Sequence, residues 1–123
     1  MPDLISTGRS ILLVDDDSDA AEALAAALDL RDYQVTVALT GAQALAHARV
    51  GVIDICLLDI HLPDMSGYQL TLELRENTAR RMQVIALTGD SGALRSPESA
   101  AFDHLVLKPV TSIDALCSLF EFC

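Results

Sequence analysis

The chain has no tryptophan and only five aromatic residues in 123, two Tyr and three Phe. It holds three cysteines, Cys56, Cys117 and Cys123. That is an odd number without a CxxC spacing, which argues against a disulfide framework and against a zinc site. A reducing, cytoplasmic location is the expectation. Positive charge is equally scarce: eight Lys+Arg face eighteen Asp+Glu, a formal net charge of −10. Such a chain repels phosphate backbones and anionic lipid, so neither a nucleic acid nor a membrane is expected as partner unless a local basic patch exists. The densest cationic spot is the pair Arg80-Arg81. Long apolar runs are missing too. Ile11 to Val14 and Ile55 to Leu58 each stop at an acid after four residues, far short of the roughly 20 that cross a bilayer. Met1 to Arg9 contains Asp3 and no apolar stretch, so a signal peptide is not expected. Neither GxxxxGK[ST] nor GxGxxG occurs, which removes the P-loop and the dinucleotide fingerprint.

What is present is alternation. Short β-branched and apolar runs alternate with helical patterns along the whole chain, the signature of an α/β protein. The length suits one domain, read as residues 1–123 with a core of about 9–122. Strands are expected at Ser10 to Asp15, Gln34 to Ala38, Asp54 to Asp59, Gln83 to Thr88 and His104 to Leu107. The first is apolar on both faces, as a central parallel strand covered by helices on either side should be. Helices are expected at Asp19 to Leu30, with Asp19 and Glu22 at capping-box spacing, and from the Thr40/Gln43 box to Val50. Two more are expected from about Tyr68 to Asn77, and from Thr111, with Thr111/Asp114 as its box, to about Phe122. Between Gly89 and Ala101, the residues Gly89, Gly92 and Pro97 weaken the helical pattern, so the fourth helix is expected to be short or irregular. The result is a doubly wound five-stranded parallel sheet, in which ligands bind beyond the carboxyl ends of the strands.

At those ends the polar residues converge. The first strand delivers Asp15-Asp16-Asp17, the third Asp59, the fourth Thr88 and the fifth Lys108. Carboxylates crowded in this way repel one another unless a cation sits among them, and a hard divalent ion such as Mg²⁺ is implied. Asp59 follows four apolar residues, so buried backbone positions it as a nucleophile requires. Thr88 can donate a hydrogen bond to a phosphoryl oxygen, and Lys108 can balance a second oxygen as a point charge. Metal, nucleophile, hydroxyl and ammonium are the parts of phosphoryl transfer.

Four segments, ILLVDDD, IDICLLDIHLPDMSG, VIALTG and LVLKPV, resemble in order and spacing the receiver domains of two-component response regulators, over about Arg9 to Phe120. That resemblance implies a flavodoxin-like sheet of order 2-1-3-4-5. It implies Asp59 as acceptor of a phosphoryl group from a histidine kinase or a histidine phosphotransfer protein, and a downstream protein target for the switched state. Asp15, Asp16, Asp59 and the backbone carbonyl of His61 would hold Mg²⁺. Thr88 would be the switch hydroxyl and Lys108 the phosphate-binding lysine, followed by a cis bond to Pro109. Asp17 has no assigned role. The chain would not be an enzyme in the ordinary sense, catalysing only its own phosphotransfer and dephosphorylation. It would stand alone or belong to a longer protein such as a hybrid kinase.

Two departures accompany the resemblance. Leu105 stands where family members usually carry a Phe or Tyr that follows the switch hydroxyl, and the segment between Thr88 and Lys108 is about two residues short. They leave open a receiver that binds partners without taking phosphate. LLVDDDS also fits the first motif of a haloacid-dehalogenase-type phosphatase, a reading that gives Asp59 no task. The His61 side chain is either an exposed loop residue or one that affects how water reaches the phosphoryl group.

Overall fold

The structure is a computed structural model and describes residues 9–77 and 82–120. The Arg80-Arg81 pair and Cys123 lie outside the described residues, whereas the last helix, expected to run to about Phe122, ends within them at Cys117, where the Ser118 N–H turns back to Asp114 O. Five parallel strands, β1 (Ser10–Val14), β2 (Gln34–Ala38), β3 (Ile55–Asp59), β4 (Gln83–Thr88) and β5 (His104–Leu107), form one sheet in the order β2-β1-β3-β4-β5. This is the architecture expected from the sequence. In register, Leu12 pairs with Cys56, Cys56 with Val84, and Ala86 with Leu105.

Because successive side chains point to opposite faces, each central strand feeds two cores. Ile11, Leu13, Ile55, Leu57, Ile85 and Leu87 are buried on one face. Helices α1 (Ser18–Asp29) and α4 (Ile113–Cys117) cover that face through Ala21, Leu28 and Leu116. Leu12, Val14, Cys56, Leu58, Val84 and Ala86 are buried on the other. There α2 (Gly41–Val50) contributes Ala44, Leu45 and Ala48, and α3 (Gly67–Asn77) contributes Leu70 and Leu74. None of the described helices is long and apolar enough to cross a membrane.

Three helix starts differ from or refine the expectation. Asp17, not Asp19, is the N-cap of α1, its side chain accepting from Ala20 N at 3.2 Å. Asp15 to Asp19 offers four acids in five positions, and the one directly before the first helical residue takes the cap. At α2 the Thr40 hydroxyl accepts from Gln43 N as the box predicts, but the Gln43 side chain returns to Leu39 N. For α4, Ser112 rather than Thr111 accepts from Ala115 N.

The connection from β4 to β5 contains no α-helix. It folds as two 3₁₀ turns, Ser91–Arg95 and Pro97–Ala101, capped by Asp90 and by Ser96 respectively. Pro97 opens the second turn, so the first cannot continue through it. Arg75 of α3 fastens this stretch, donating to the carbonyls of Met82 and Ala101 and to Asp103. Phe102, buried just behind the second turn, closes the core on that side.

Candidate functional site

The site is assembled at the carboxyl end of the sheet. Ile11 to Val14 are fully buried, and the backbone pairing continues one residue beyond β1, with Asp15 N donating to Ala38 O at 3.0 Å. Asp15 is thereby fixed at 5% exposure. Its Oδ1 accepts from Asp17 N at 3.0 Å. The same backbone amide thus orients a buried acid, while the side chain of Asp17 caps α1. Asp59 ends β3 after four buried residues, and its Oδ1 accepts from His61 N at 3.1 Å. Asp15, the exposed Asp16 and Asp59 each present a carboxylate oxygen within 4.8 Å of the others.

Lys108 balances part of this charge. Its Nζ donates to Asp15 Oδ2 at 3.0 Å and to Asp59 Oδ2 at 3.2 Å. Burial works against the ammonium, but the hydrogen bond to Asp15 and the charge of Asp59 outweigh it and hold the lysine above its ordinary pKa. The backbone fixes where this side chain starts: Lys108 N donates to Thr88 O at 2.7 Å, and the Lys108-Pro109 peptide is cis, as the resemblance implies.

Thr88 is fully buried at the end of β4, and its hydroxyl oxygen accepts from Asp90 N at 3.0 Å. Since a hydroxyl that accepts still has its own proton to give, Thr88 keeps a donor for an incoming oxygen. Asp90 in turn caps the first 3₁₀ turn through Gly92 N at 2.8 Å. Leu105 is partly buried against the same core as Phe102, on the α2 and α3 face. The His61 side chain is exposed.

Three carboxylates against one ammonium leave the cluster net negative, and all the donors facing its centre are hard oxygens. That set fits Mg²⁺ and not a thiophilic metal. The expected residues Asp15, Asp16, Asp59 and Lys108 are therefore brought together, and Thr88 lies on the neighbouring strand, joined to Lys108 through the backbone. Two contributors were not legible in sequence. Asp17 fixes Asp15. Asp64, at the tip of the β3–α3 loop, accepts from Gly41 N and Ala42 N at 2.9 Å each, partners more than twenty positions away.

Beside Asp15 and Lys108 opens a largely apolar groove of about 530 Å³, walled by Ala20, Leu24 and Ala27 of α1 and by Val110 and Ile113 beyond β5.

Comparison with known proteins gives one family. The profile of the response regulator receiver domain matches residues 11–120. Among curated proteins, response regulator PleD of Caulobacter vibrioides is 36% identical over 107 residues, covering 84% of this chain and 23% of PleD. Transcriptional regulatory protein KdpE of Mycobacterium tuberculosis is 36% identical over 99 residues, 80% of this chain and 44% of KdpE. The chain thus spans less than half of these relatives. Among solved structures, response regulator TrrA of Thermotoga maritima, in complex with Mg²⁺-BeF, superposes with a TM-score of 0.81 at 29% identity. That match covers 90% of this chain and 96% of TrrA.

Proposed function

Since the chain belongs to the response regulator receiver family, we propose that it is a phosphoacceptor switch. It takes a phosphoryl group onto Asp59 from the phosphohistidine of a histidine kinase or a histidine phosphotransfer protein. The observation that carries this reading is the convergence of Asp15, Asp16 and Asp59 on one point, with Lys108 Nζ bonded to two of them.

The chemistry follows from the groups in place. A carboxylate oxygen of Asp59 forms the new P–O bond as the P–N bond of the phosphohistidine breaks, and the imidazole departs with its electron pair. Lys108, bonded to Asp59 Oδ2, orients the carboxylate, and its charge then passes to a phosphoryl oxygen. His61 N holds Asp59 Oδ1, so the loop after β3 fixes the carboxylate's rotation. Mg²⁺, held by Asp15, Asp16, Asp59 and the His61 carbonyl, would supply neutralising charge for the phosphoryl oxygens. The chain is then no enzyme acting on other molecules, since the group that reacts is its own side chain.

Switching starts at Thr88. Its hydroxyl donates to the phosphoryl oxygen while still accepting from Asp90 N, so a shift of Thr88 moves the cap of the first 3₁₀ turn. Leu105 has no ring to swing and stays packed, which leaves residues 89–96 as the moving part. A donor helix would cover the apolar groove along α1, because any macromolecule that brings a phosphohistidine to Asp59 must contact the surface next to it.

Intact mass after treatment with acetyl phosphate and Mg²⁺ tests the assignment. Wild type should gain one phosphoryl group that hydroxylamine removes, and Asp59→Asn should gain none. Equal labelling of Asp59→Asn would sink the assignment, and no labelling of wild type would favour a binding-only receiver.

A further inference from the structure

The β3–α3 loop carries both the residue that fixes Asp59 and the carbonyl assigned to the metal, so what holds this loop matters to the chemistry. Its base is closed on itself: Gly67 N donates to Ile60 O at 2.6 Å, and His61 and Ser66 form a bridge. Its tip is held from outside. Asp64 Oδ1 accepts from Gly41 N and Oδ2 from Ala42 N, at 2.9 Å each. These are the first two amides of α2, orphan donors that no residue of the helix itself can satisfy. Thr40 satisfies only the next one, Gln43 N. Beside this pair of bonds Met65 lies flat on Gly41, so close that a Cβ there would sit 2.6 Å from its Sδ. The two backbone bonds hold the Asp64 carboxyl below the ordinary aspartate pKa although it is exposed, so it is ionised throughout the physiological range.

We propose that Asp64 is a positioning residue for phosphoryl transfer. By tying the loop tip to the N-terminus of α2, it sets the His61 amide against Asp59 and the His61 carbonyl toward the metal. The inference rests on the phosphoacceptor reading above. It goes beyond that reading in giving α2, which carries none of the reacting groups, control over the geometry of the acceptor. Asp64 is not one of the three clustered carboxylates, Asp15, Asp16 and Asp59; its two oxygens face α2.

A residue that only capped α2 would change stability and nothing else. A positioning residue changes metal affinity in the folded protein. The test is Mg²⁺ titration by calorimetry on wild type, Asp64→Ala and Asp64→Asn, with circular dichroism confirming the fold and acetyl phosphate labelling followed at each Mg²⁺ concentration. Asp64→Ala should weaken Mg²⁺ binding by roughly tenfold, the range seen when groups that orient metal ligands are removed. Its labelling rate should recover for the most part at saturating Mg²⁺. Asp64→Asn keeps the side-chain shape and one acceptor oxygen, so it should fold and fall between the two, and it decides the matter if Asp64→Ala does not fold. Unchanged Mg²⁺ affinity and labelling in Asp64→Asn and in folded Asp64→Ala overturns the proposal and leaves the phosphoacceptor reading intact. A wild type that neither binds Mg²⁺ nor labels overturns both.

Discussion

Gly67→Ala is the substitution for which the structure gives the firmest magnitude. A Cβ built on Gly67 would lie 2.7 Å from Asp59 O, 2.8 Å from Ile60 Cα and 2.8 Å from Leu58 Cδ1. Two of these three atoms are backbone, so rotating a side chain relieves only part of the conflict. Ordinary contact begins at 3.4 Å, so the Asp59 carbonyl must retreat by roughly 0.7 Å, and the phosphoacceptor moves with its own backbone. Overpacking of this kind costs about 1–3 kcal/mol, and the upper half of that range applies where backbone must yield. Alanine's better helix propensity offsets at most about 1 kcal/mol, and less at the first residue of α3. A net loss of about 2 kcal/mol lowers Tm by roughly 8 °C in a domain of this size. The catalytic cost is separate. Sites tolerate about 0.5 Å of misplacement, and about 1 Å can cost a hundredfold. The rate of labelling by acetyl phosphate at saturating Mg²⁺ should therefore fall by roughly ten- to a hundredfold. Gly89→Ala is the matched control: no heavy atom lies within 4 Å of the added Cβ, so stability should change by no more than its surface position implies, about 0.5 kcal/mol. Differential scanning fluorimetry and a labelling time course read both effects. If Gly67→Ala kept the wild-type Tm and rate, the loop would be yielding freely and could not be what positions Asp59.

Other outcomes follow from the same geometry. Asp16→Ala removes one of three crowded carboxylates, so Mg²⁺ titration should show weaker binding while the metal-free protein is as stable as wild type or more so; superimposable titration curves would contradict the metal role. Thr88→Ala leaves Asp90 N without its acceptor and the phosphoryl group without a donor. It should still label on Asp59, yet amide exchange with and without beryllofluoride should lose the change over residues 89–96; the same exchange difference as wild type would remove Thr88 as the switch. Cys56 is fully buried and its thiol is pushed up to about 12 by that burial. Iodoacetamide at pH 8 should spare it in the native protein and modify it in urea, and rapid native alkylation mapped to Cys56 would mean that the β3 core opens readily.

Four of the five strands could be read from the sequence as apolar runs ended by the residue that acts: Val14 before Asp15, Leu58 before Asp59, Leu87 before Thr88, Leu107 before Lys108; β2 ends in no such residue, and the strand order came from the family resemblance. Burial on both faces leaves little choice of structure for the runs of β1, β3 and β4, and parallel pairing places the strand ends together. The caps were less legible. Asp17 and Asp19 are chemically alike, and only the turn of the chain out of β1 decides which one meets Ala20 N. The two 3₁₀ turns were foreshadowed by Gly89, Gly92 and Pro97, which rule out a regular helix without specifying what replaces it. Asp64 carried no signal, since its partners are backbone amides on another helix and an amide leaves no mark in the sequence. Leu105 was legible as a departure from the family, and its packing on the α2 and α3 face supports a route of change that bypasses an aromatic ring.

The central claim is that Asp59, among all the acids of the chain, receives the phosphoryl group. Borohydride reduces an acyl phosphate to an alcohol and turns a phosphorylated aspartate into homoserine, leaving free carboxylates untouched. Peptide mass mapping after acetyl phosphate, Mg²⁺ and borohydride should find homoserine at position 59 and at no other, and none when Mg²⁺ is withheld. Homoserine at position 15, 16 or 64, or a phosphorylated chain with aspartate still at 59, would contradict the account.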